Sequence, residues 1–283
     1  MIKVLKAGFY TSIQNRGRVG FAEIGVPVSG VMDSYSAYIA NSILNNSLDI
    51  AVLEITFGGC ELQFLTDTFI CISGGHFSPK INDKSIPLNS RIKVHKDDVL
   101  TFGKINFGVR CYLSVFDGFL TEVVLNSRSF YQSITTNFLV KNNDFLPISA
   151  SRTDLKTTNT SIKTNKKHFN SQELTCYKGP EFELLNDVQQ IQLLSQTFTI
   201  SKNNNRMGYR LNEVIENRLT SILTSAVLPG TVQLTPSGKL IVLMRDCQVT
   251  GGYPRVLQLS ENAINKLAQK TTNDTSKFVL ESF

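Results

Sequence analysis

Thr231-Val232-Gln233-Leu234-Thr235-Pro236-Ser237-Gly238-Lys239-Leu240-Ile241-Val242-Leu243-Met244 reads as two strands and the turn between them. The flanking runs are rich in β-branched and aliphatic side chains, which suit a pleated, half-buried surface. Pro-Ser-Gly between them supplies the restrained φ and the permissive glycine of a hairpin turn. Gly238-Lys239 echoes the end of a phosphate loop, but Leu240 stands where that loop needs Ser or Thr.

The same grammar recurs along the chain. Phe69-Ile70-Cys71-Ile72, Ile92-Lys93-Val94 and Val109-Arg110-Cys111-Tyr112-Leu113 are strand-like, and Gly74-Gly75, Asn82-Asp83 and Asp97-Asp98 punctuate them. Short runs between frequent turns predict a mainly β protein built of barrels or sandwiches, with few helices. Helical spacing occurs three times. Tyr35, Ile39 and Ile43 follow Asp33 as an N-cap; Leu184, Val188, Ile191 and Leu194 form an apolar stripe; Ala263, Ile264, Leu267 and Ala268 follow Ser260 and are expected to face inward.

Between 151 and 172 the apolar content collapses into Thr, Asn, Ser and Lys. This predicts a polar linker or exposed loop separating a β-rich half at 1–150 from a second β-rich half at 173–283. The chain has 283 residues, 41% hydrophobic and 18% charged, as an ordinary globular protein does, and no run of about 18 apolar residues that would span a membrane. Met1-Ile2-Lys3-Val4-Leu5 reads as a first strand and not a signal peptide. The five cysteines are odd in number and form no C-x-x-C pair; Cys71, Cys111 and Cys247 sit in apolar runs, as core residues of a reducing cytoplasm would. The net charge of +6 peaks at 156–167, where lysines mix with Thr and Asn and no aromatic interleaves. That is a solvated loop and not a nucleic-acid face.

Local signatures of self-contained chemistry are missing. No G-x-G-x-x-G follows a strand, no G-x-S-x-G elbow occurs, and His76, His95 and His168 lack metal-ligand spacing, so no metal is expected. No Met-Lys-Met marks a biotin attachment point.

Three Gly-rich polar stretches stand out. Gly8 to Asp33 holds Arg16-Gly17-Arg18; Asn205 to Leu211 holds Arg206 and Arg210 around Gly208; and residues 225–254 hold Gln233, Asp246 and the turn Thr250-Gly251-Gly252-Tyr253. Arginine forks and exposed backbone amides suit carboxylate or phosphate recognition. Each stretch reads equally as tight turns with every arginine paired to a local acid. If they form one site, Arg18, Arg206, Gln233, Asp246 and Thr250 converge on a single cleft.

In this order the motifs resemble the allophanate hydrolase subunit 2, or biotin-dependent carboxyltransferase-like, family. A pattern T-x-x-Q-D-x-G-R-x-G then G-V-P-x-x-G-x-M-D is similar to Thr11, Gln14, Gly17, Arg18, Gly20, then Gly25, Val26, Pro27, Gly30, Met32 and Asp33. R-M-G-x-R-L is met by Arg206, Met207, Gly208, Arg210 and Leu211; P-G-x-x-Q-x-P-x-x-G by Pro229, Gly230, Gln233, Pro236 and Gly238; D-x-Q-x-T-G-G-Y-P by Asp246, Gln248, Thr250, Gly251, Gly252, Tyr253 and Pro254. Asn15 and Asn205 stand where the pattern carries Asp, and Asn126 where it carries Gly.

The resemblance implies a cyclophilin-like β-barrel architecture in two halves with a few short helices. It implies a cytoplasmic subunit of an ATP-dependent 5-oxoprolinase, inactive alone, opening 5-oxo-L-proline to L-glutamate with a subunit-B-like (KipI-type) protein and a subunit-A-like protein. ATP would act in the assembled complex, and biotin would not be attached to this chain. Gln233, Asp246 and Thr250 would be catalytic; Arg18, Arg206, Arg210, Gly251, Gly252 and Tyr253 would bind substrate or phosphate. The other readings it allows are a carboxyltransferase component of urea metabolism, or a KipA-like regulator of a kinase inhibitor.

Overall fold

The computed structural model describes residues 1–149, 162 and 165–281. They fall into two compact units, Met1–Arg18 with Ser29–Lys166, and Val19–Val28 with Lys167–Phe283. Most of the expected linker at 151–172 lies outside the described residues.

The first unit holds β1 (Ile2–Ala7), β2 (Tyr10–Gln14), α1 (Ser34–Ile43), β3 (Val52–Thr56), β4 (Cys60–Phe64), β5 (Thr68–His76), β6 (Lys80–Ile81), β7 (Lys84–Ser85), β8 (Ile92–Val94), β9 (Val99–Thr101), β10 (Phe107–Val115) and β11 (Phe145–Leu146). They make two sheets, ordered β11-β1-β4-β9-β6-β7 and β2-β3-β10-β5-β8. Period-two alternation sends Ile2, Val4, Leu62 and Phe64 from one sheet and Ile13, Leu53, Ile72 and Leu113 from the other into a shared core. β5 and β10 are buried on both faces along most of their length because α1 covers the second face: Ala40 and Leu44 pack with Phe69 and Cys71, and Ala37 with Tyr112.

Asp33 caps α1 as expected, accepting from the Ser36 amide at 3.1 Å. The face turned inward is centred on Ser36, Ala37, Ala40 and Asn41, with Tyr35 exposed, Ile39 half-buried and Ile43 half-buried against the core at its edge. Small side chains let the helix axis approach the sheet closely, and the larger residues spread along the flanks. The cap itself is buried, and the Met32 amide donates to Glu54 at 2.7 Å while the Asp33 amide donates to the Tyr112 hydroxyl at 2.8 Å. Gly30 must be glycine here: its φ is +92° and a Cβ would stand 2.8 Å from the Arg16 carbonyl.

The second unit holds α2 (Lys167–Asn170), β12 (Glu173–Lys178), α3 (Asp187–Ser195), β13 (Phe198–Asn204), β14 (Gly208–Val214), β15 (Ser225–Ala226), β16 (Thr231–Leu234), β17 (Lys239–Leu243), β18 (Thr250–Gly251), β19 (Arg255–Leu259), α4 (Glu261–Leu267) and β20 (Thr275–Leu280). Seven strands close a barrel in the order β12-β19-β16-β17-β14-β13-β20, and a parallel β12–β20 pair completes the ring. The protein is thus mainly β, with one closed barrel.

The hairpin quoted first is β16–β17, paired Val232↔Val242 and Leu234↔Leu240, with Gly238 at φ +78° in its turn. α4 behaves as the sequence says: Ser260 accepts from the Ala263 amide at 3.2 Å, and Ala263, Ile264, Leu267 and Ala268 are buried. α3 forms behind a capping box of Asn186 and Gln189, but its stripe is turned out, with Val188 74% and Ile191 66% exposed. Leu193 makes the buried contact instead. One residue is 100° of helix rotation, so the sequence shows an amphipathic segment without showing which edge of its stripe seats on the barrel.

Candidate functional site

The barrel register builds a wall. Arg210 on β14 pairs with Ile241 on β17, and Ile241 pairs with Gln233 on β16. Residues in register share a face, and the adjacent row, Tyr209, Val242 and Val232, is fully buried. The row of Arg210, Ile241 and Gln233 therefore points away from the barrel axis. Two inter-strand spacings separate the Cα atoms of Arg210 and Gln233 by about 10 Å. Lys202 at the end of β13 and Asn205 and Met207 in the turn after it line one side, and Gln248 and Tyr253 the other, of a concave pocket of about 660 Å³. None of its lining residues is acidic.

Gln233 is only 2% exposed yet lines this pocket. Its Nε2 donates to the Tyr253 carbonyl at 3.5 Å. No described residue donates to its Oε1, which is left to the pocket that Gln233 lines. Gly251 makes room for it, since a Cβ there would stand 2.5 Å from Gln233 Nε2. Arg210 and Lys202 share the wall, and neither side chain hydrogen-bonds to or forms an ion pair with any described residue.

Arg206, four residues before Arg210, has a different fate. Its Nε donates to Asp246 Oδ2 at 2.8 Å and its Nη2 to Oδ1 at 2.9 Å, both residues being buried. The Asp246 amide donates back to the Arg206 carbonyl at 2.8 Å, and the Met244 amide to the Met207 carbonyl at 2.9 Å. This clamp ties the turn before β14 to the turn after β17 and so fixes two edges of the pocket. Beside it, burial and then the Asp246 charge push the Cys247 thiol up to about 12, which leaves no thiolate at neutral pH.

Further along the row, Gln233 pairs with Arg255 on β19. Arg255 donates Nε and Nη2 to Glu181 at 2.9 and 2.7 Å, and Nη1 to the Ala226 carbonyl at 2.9 Å. Chiefly through these hydrogen bonds it holds the Glu181 carboxyl below its ordinary value, and Glu181 raises Arg255 in turn.

Of the residues singled out from sequence, Gln233, Arg210 and Tyr253 line the pocket, and Gly251 supports Gln233. Arg206 and Asp246 meet each other. Thr250 lies exposed on β18, where it pairs with Ala226, and the Gly252 carbonyl accepts from the Ile222 amide at 2.9 Å. Arg18 belongs to the first unit, is 1% exposed, and donates Nη2 to the Ser129 carbonyl.

The three departures from the motif each keep a backbone job. Asn15 Oδ1 accepts from the Ser127 and Ser129 hydroxyls at 2.6 and 2.8 Å and from the Gly17 amide at 3.1 Å. Asn205 Oδ1 accepts from the amides of Met207 at 2.8 Å and Gly208 at 3.2 Å. Either task suits a neutral carbonyl as well as a carboxylate. Asn126, in place of Gly, sits at φ +59°, a conformation Asn tolerates.

Sequence reasoning missed Lys202. It lies in Lys-Asn-Asn-Asn, a run that looks like a polar loop, although the strand alternation of Phe198 and Ile200 before it carries a signal. Gln248 belongs to a motif quoted above but had no role assigned to it. Among the described residues no three His, Cys, Asp or Glu side chains gather as a metal site would, and no helix is long and apolar enough to cross a membrane.

Comparison with known proteins shows what the chain as a whole is similar to. The model of the carboxyltransferase domain, subdomain A and B, matches residues 24–280. The chain is 31% identical to the C-type subunit of the 5-oxoprolinase of Escherichia coli K12 over 99% of its own length and 91% of that protein. It is 27% identical to the C-type 5-oxoprolinase subunit of Haemophilus influenzae over 98% of itself and 90% of that protein. Its fold is similar to the Kluyveromyces lactis urea carboxylase structure, with a TM-score of 0.88 and 28% identity over 99% of this chain and 27% of that one.

Proposed function

The chain belongs to the carboxyltransferase domain family, subdomain A and B, and within it we propose that the chain serves as the C-type subunit of an ATP-dependent 5-oxoprolinase. The reaction would hydrolyse the lactam C–N bond of 5-oxo-L-proline to give L-glutamate, coupled to hydrolysis of ATP to ADP and phosphate. The observation that carries this reading is the similarity to the C-type subunit of E. coli along nearly the whole of both chains.

The barrel pocket supports it. A wall with Arg210, Lys202 and a buried carboxamide acceptor suits a small anionic amide, and it holds no acid to repel a carboxylate. The Cys247 thiol is too basic to act as a nucleophile at neutral pH. The chain in this reading contributes a binding surface, and subunit-A-like and subunit-B-like companions complete the chemistry, including the nucleotide's. ATP is a substrate of that assembly; the cations of the pocket fit an anion, and they do not single out a triphosphate.

The test is reconstitution. Chain and companions are purified separately and mixed, and 5-oxoproline-dependent ADP release is followed with stoichiometric glutamate. Turnover is expected only when all components are present. Turnover by this chain alone, or none by the full mixture, contradicts the proposal. The likeness to urea carboxylase favours a second reading, carboxyl transfer. Bicarbonate-dependent carboxylation of urea by a mixture that leaves 5-oxoproline untouched would select it.

A further inference from the structure

The outer wall of the barrel carries two cations, Arg210 and Lys202, with no acidic partner among the described residues. Lys202 lies in the irregular stretch of β13 between the pairs Ile200↔Leu211 and Asn204↔Tyr209, so it lies across from Arg210 on β14. Two like charges on neighbouring strands repel, and a folded surface commonly relieves this with an interspersed acid. None lines this pocket, and neither side chain pairs with any described residue. The neighbours are amides: Asn205 is occupied with its own turn, and Asn204 donates Nδ2 to the Ser201 carbonyl at 2.7 Å and to Thr272 Oγ1 at 3.0 Å. The end of β13 bearing Lys202 is thus held in place by its own hydrogen bonds while the ammonium is left available.

On the far side of Ile241 stands the Gln233 carboxamide, whose Nε2 makes a long 3.5 Å contact with the Tyr253 carbonyl beside the space over Gly251 and whose Oε1 has no donor among the described residues. Opening on the pocket with no donor from the described residues, this oxygen is available to accept from a molecule bound there. An N–H on that molecule would be the donor. The cations and the acceptor lie on one face, about 10 Å apart at the backbone. Ile241 between them lines the same pocket as an apolar floor.

We propose that this wall binds a small molecule carrying a carboxylate next to an amide N–H, with Arg210 and Lys202 on the carboxylate and Gln233 Oε1 on the N–H, and that Lys202 is the specificity-determining second cation of the site. This deepens the 5-oxoprolinase reading and takes its substrate class from it. Arg206 is a positioning residue here, since its fork is committed to Asp246.

The test titrates the full chain, followed by NMR or calorimetry, with N-acetylglycine, which has both groups; N-methylacetamide, which lacks the carboxylate; and acetate, which lacks the amide. N-acetylglycine should bind more tightly than either fragment. Lys202→Gln and Arg210→Gln should each weaken it by about tenfold, the loss of one charge-assisted contact, and leave N-methylacetamide unaffected. Gln233→Leu should erase the advantage of N-acetylglycine over acetate. Thermal midpoints confirm that each variant is folded; if Gln233→Leu does not fold, Gln233→Met replaces it. Equal binding of N-acetylglycine by wild type and both cation variants, or no preference for it over the fragments, overturns the proposal. These outcomes do not depend on turnover: an inactive reconstituted complex with a selective pocket would sink the reaction and keep the site, and an active complex with an indifferent pocket would do the reverse.

Discussion

Arg206 and Arg210 stand four residues apart on the same turn and strand, and the structure treats them oppositely. Arg206 is buried, bidentate to Asp246, and holds two turns together. Arg210 projects from the outer face of the barrel into an acid-free pocket with no described partner. A charge whose valence is already spent inside the protein serves the fold, and a charge left unspent on a shaped wall is available to a ligand. Residue type does not separate the two.

The sharpest way to break the contrast is to remove one member of the clamp. Arg206→Ala or Asp246→Ala leaves a buried charge without its partner and should cost about 3–5 kcal/mol of unfolding free energy in a denaturant titration. A paired Arg206→Met and Asp246→Leu variant should recover most of that loss. If the single variants unfold like wild type and only activity falls, the pair belongs with the ligand groups.

Gly251→Ala comes next. Its Cβ would crowd Gln233 Nε2, the far end of a side chain able to shift, so stability should change by less than about 1 kcal/mol while kcat/KM of the reconstituted complex drops several-fold. Unchanged kcat/KM would detach Gln233 from the site. Asn205→Asp should be milder still. The turn keeps its acceptor, but a carboxylate enters the acid-free wall and weakens binding of an anion a few-fold, most visibly at low salt. Tighter binding would reverse the assignment of the pocket as an anion site.

The smallest effect belongs to Arg255 and Glu181, which close the far end of the same row. The folded carboxyl titrates below its unfolded counterpart, so its stabilisation is fully present above the ordinary Glu value of about 4.3 and is lost as pH falls through the lower folded value. Glu181→Gln should flatten the acid limb of the stability–pH curve by a small amount and leave the neutral region parallel to wild type. An unaltered acid limb would show that the pair contributes nothing there.

How far the sequence reaches follows from where the information lies. The β16–β17 hairpin, the Asp33 cap and the inward face of α4 are local, within a few residues, and they are legible. The exposure of Val188 and Ile191 is not, because helical period says that a stripe exists and leaves unsaid which surface meets the barrel. The partner of Arg206 lies 40 residues away, and nothing in the spacing joins them. Gln233 and Arg210 are legible as polar members of Gly-rich motifs, but only the register through Ile241 puts them in one row. Lys202 is hidden because strand β13 ends in amides that read as loop.

Arg210 is the residue on which the pocket's role as a ligand site depends most. Its most direct test is the KM for 5-oxo-L-proline of the complex reconstituted with Arg210→Gln. A rise of about tenfold or more over wild type is expected if the guanidinium holds the substrate. A KM equal to that of wild type would contradict a ligand role for Arg210.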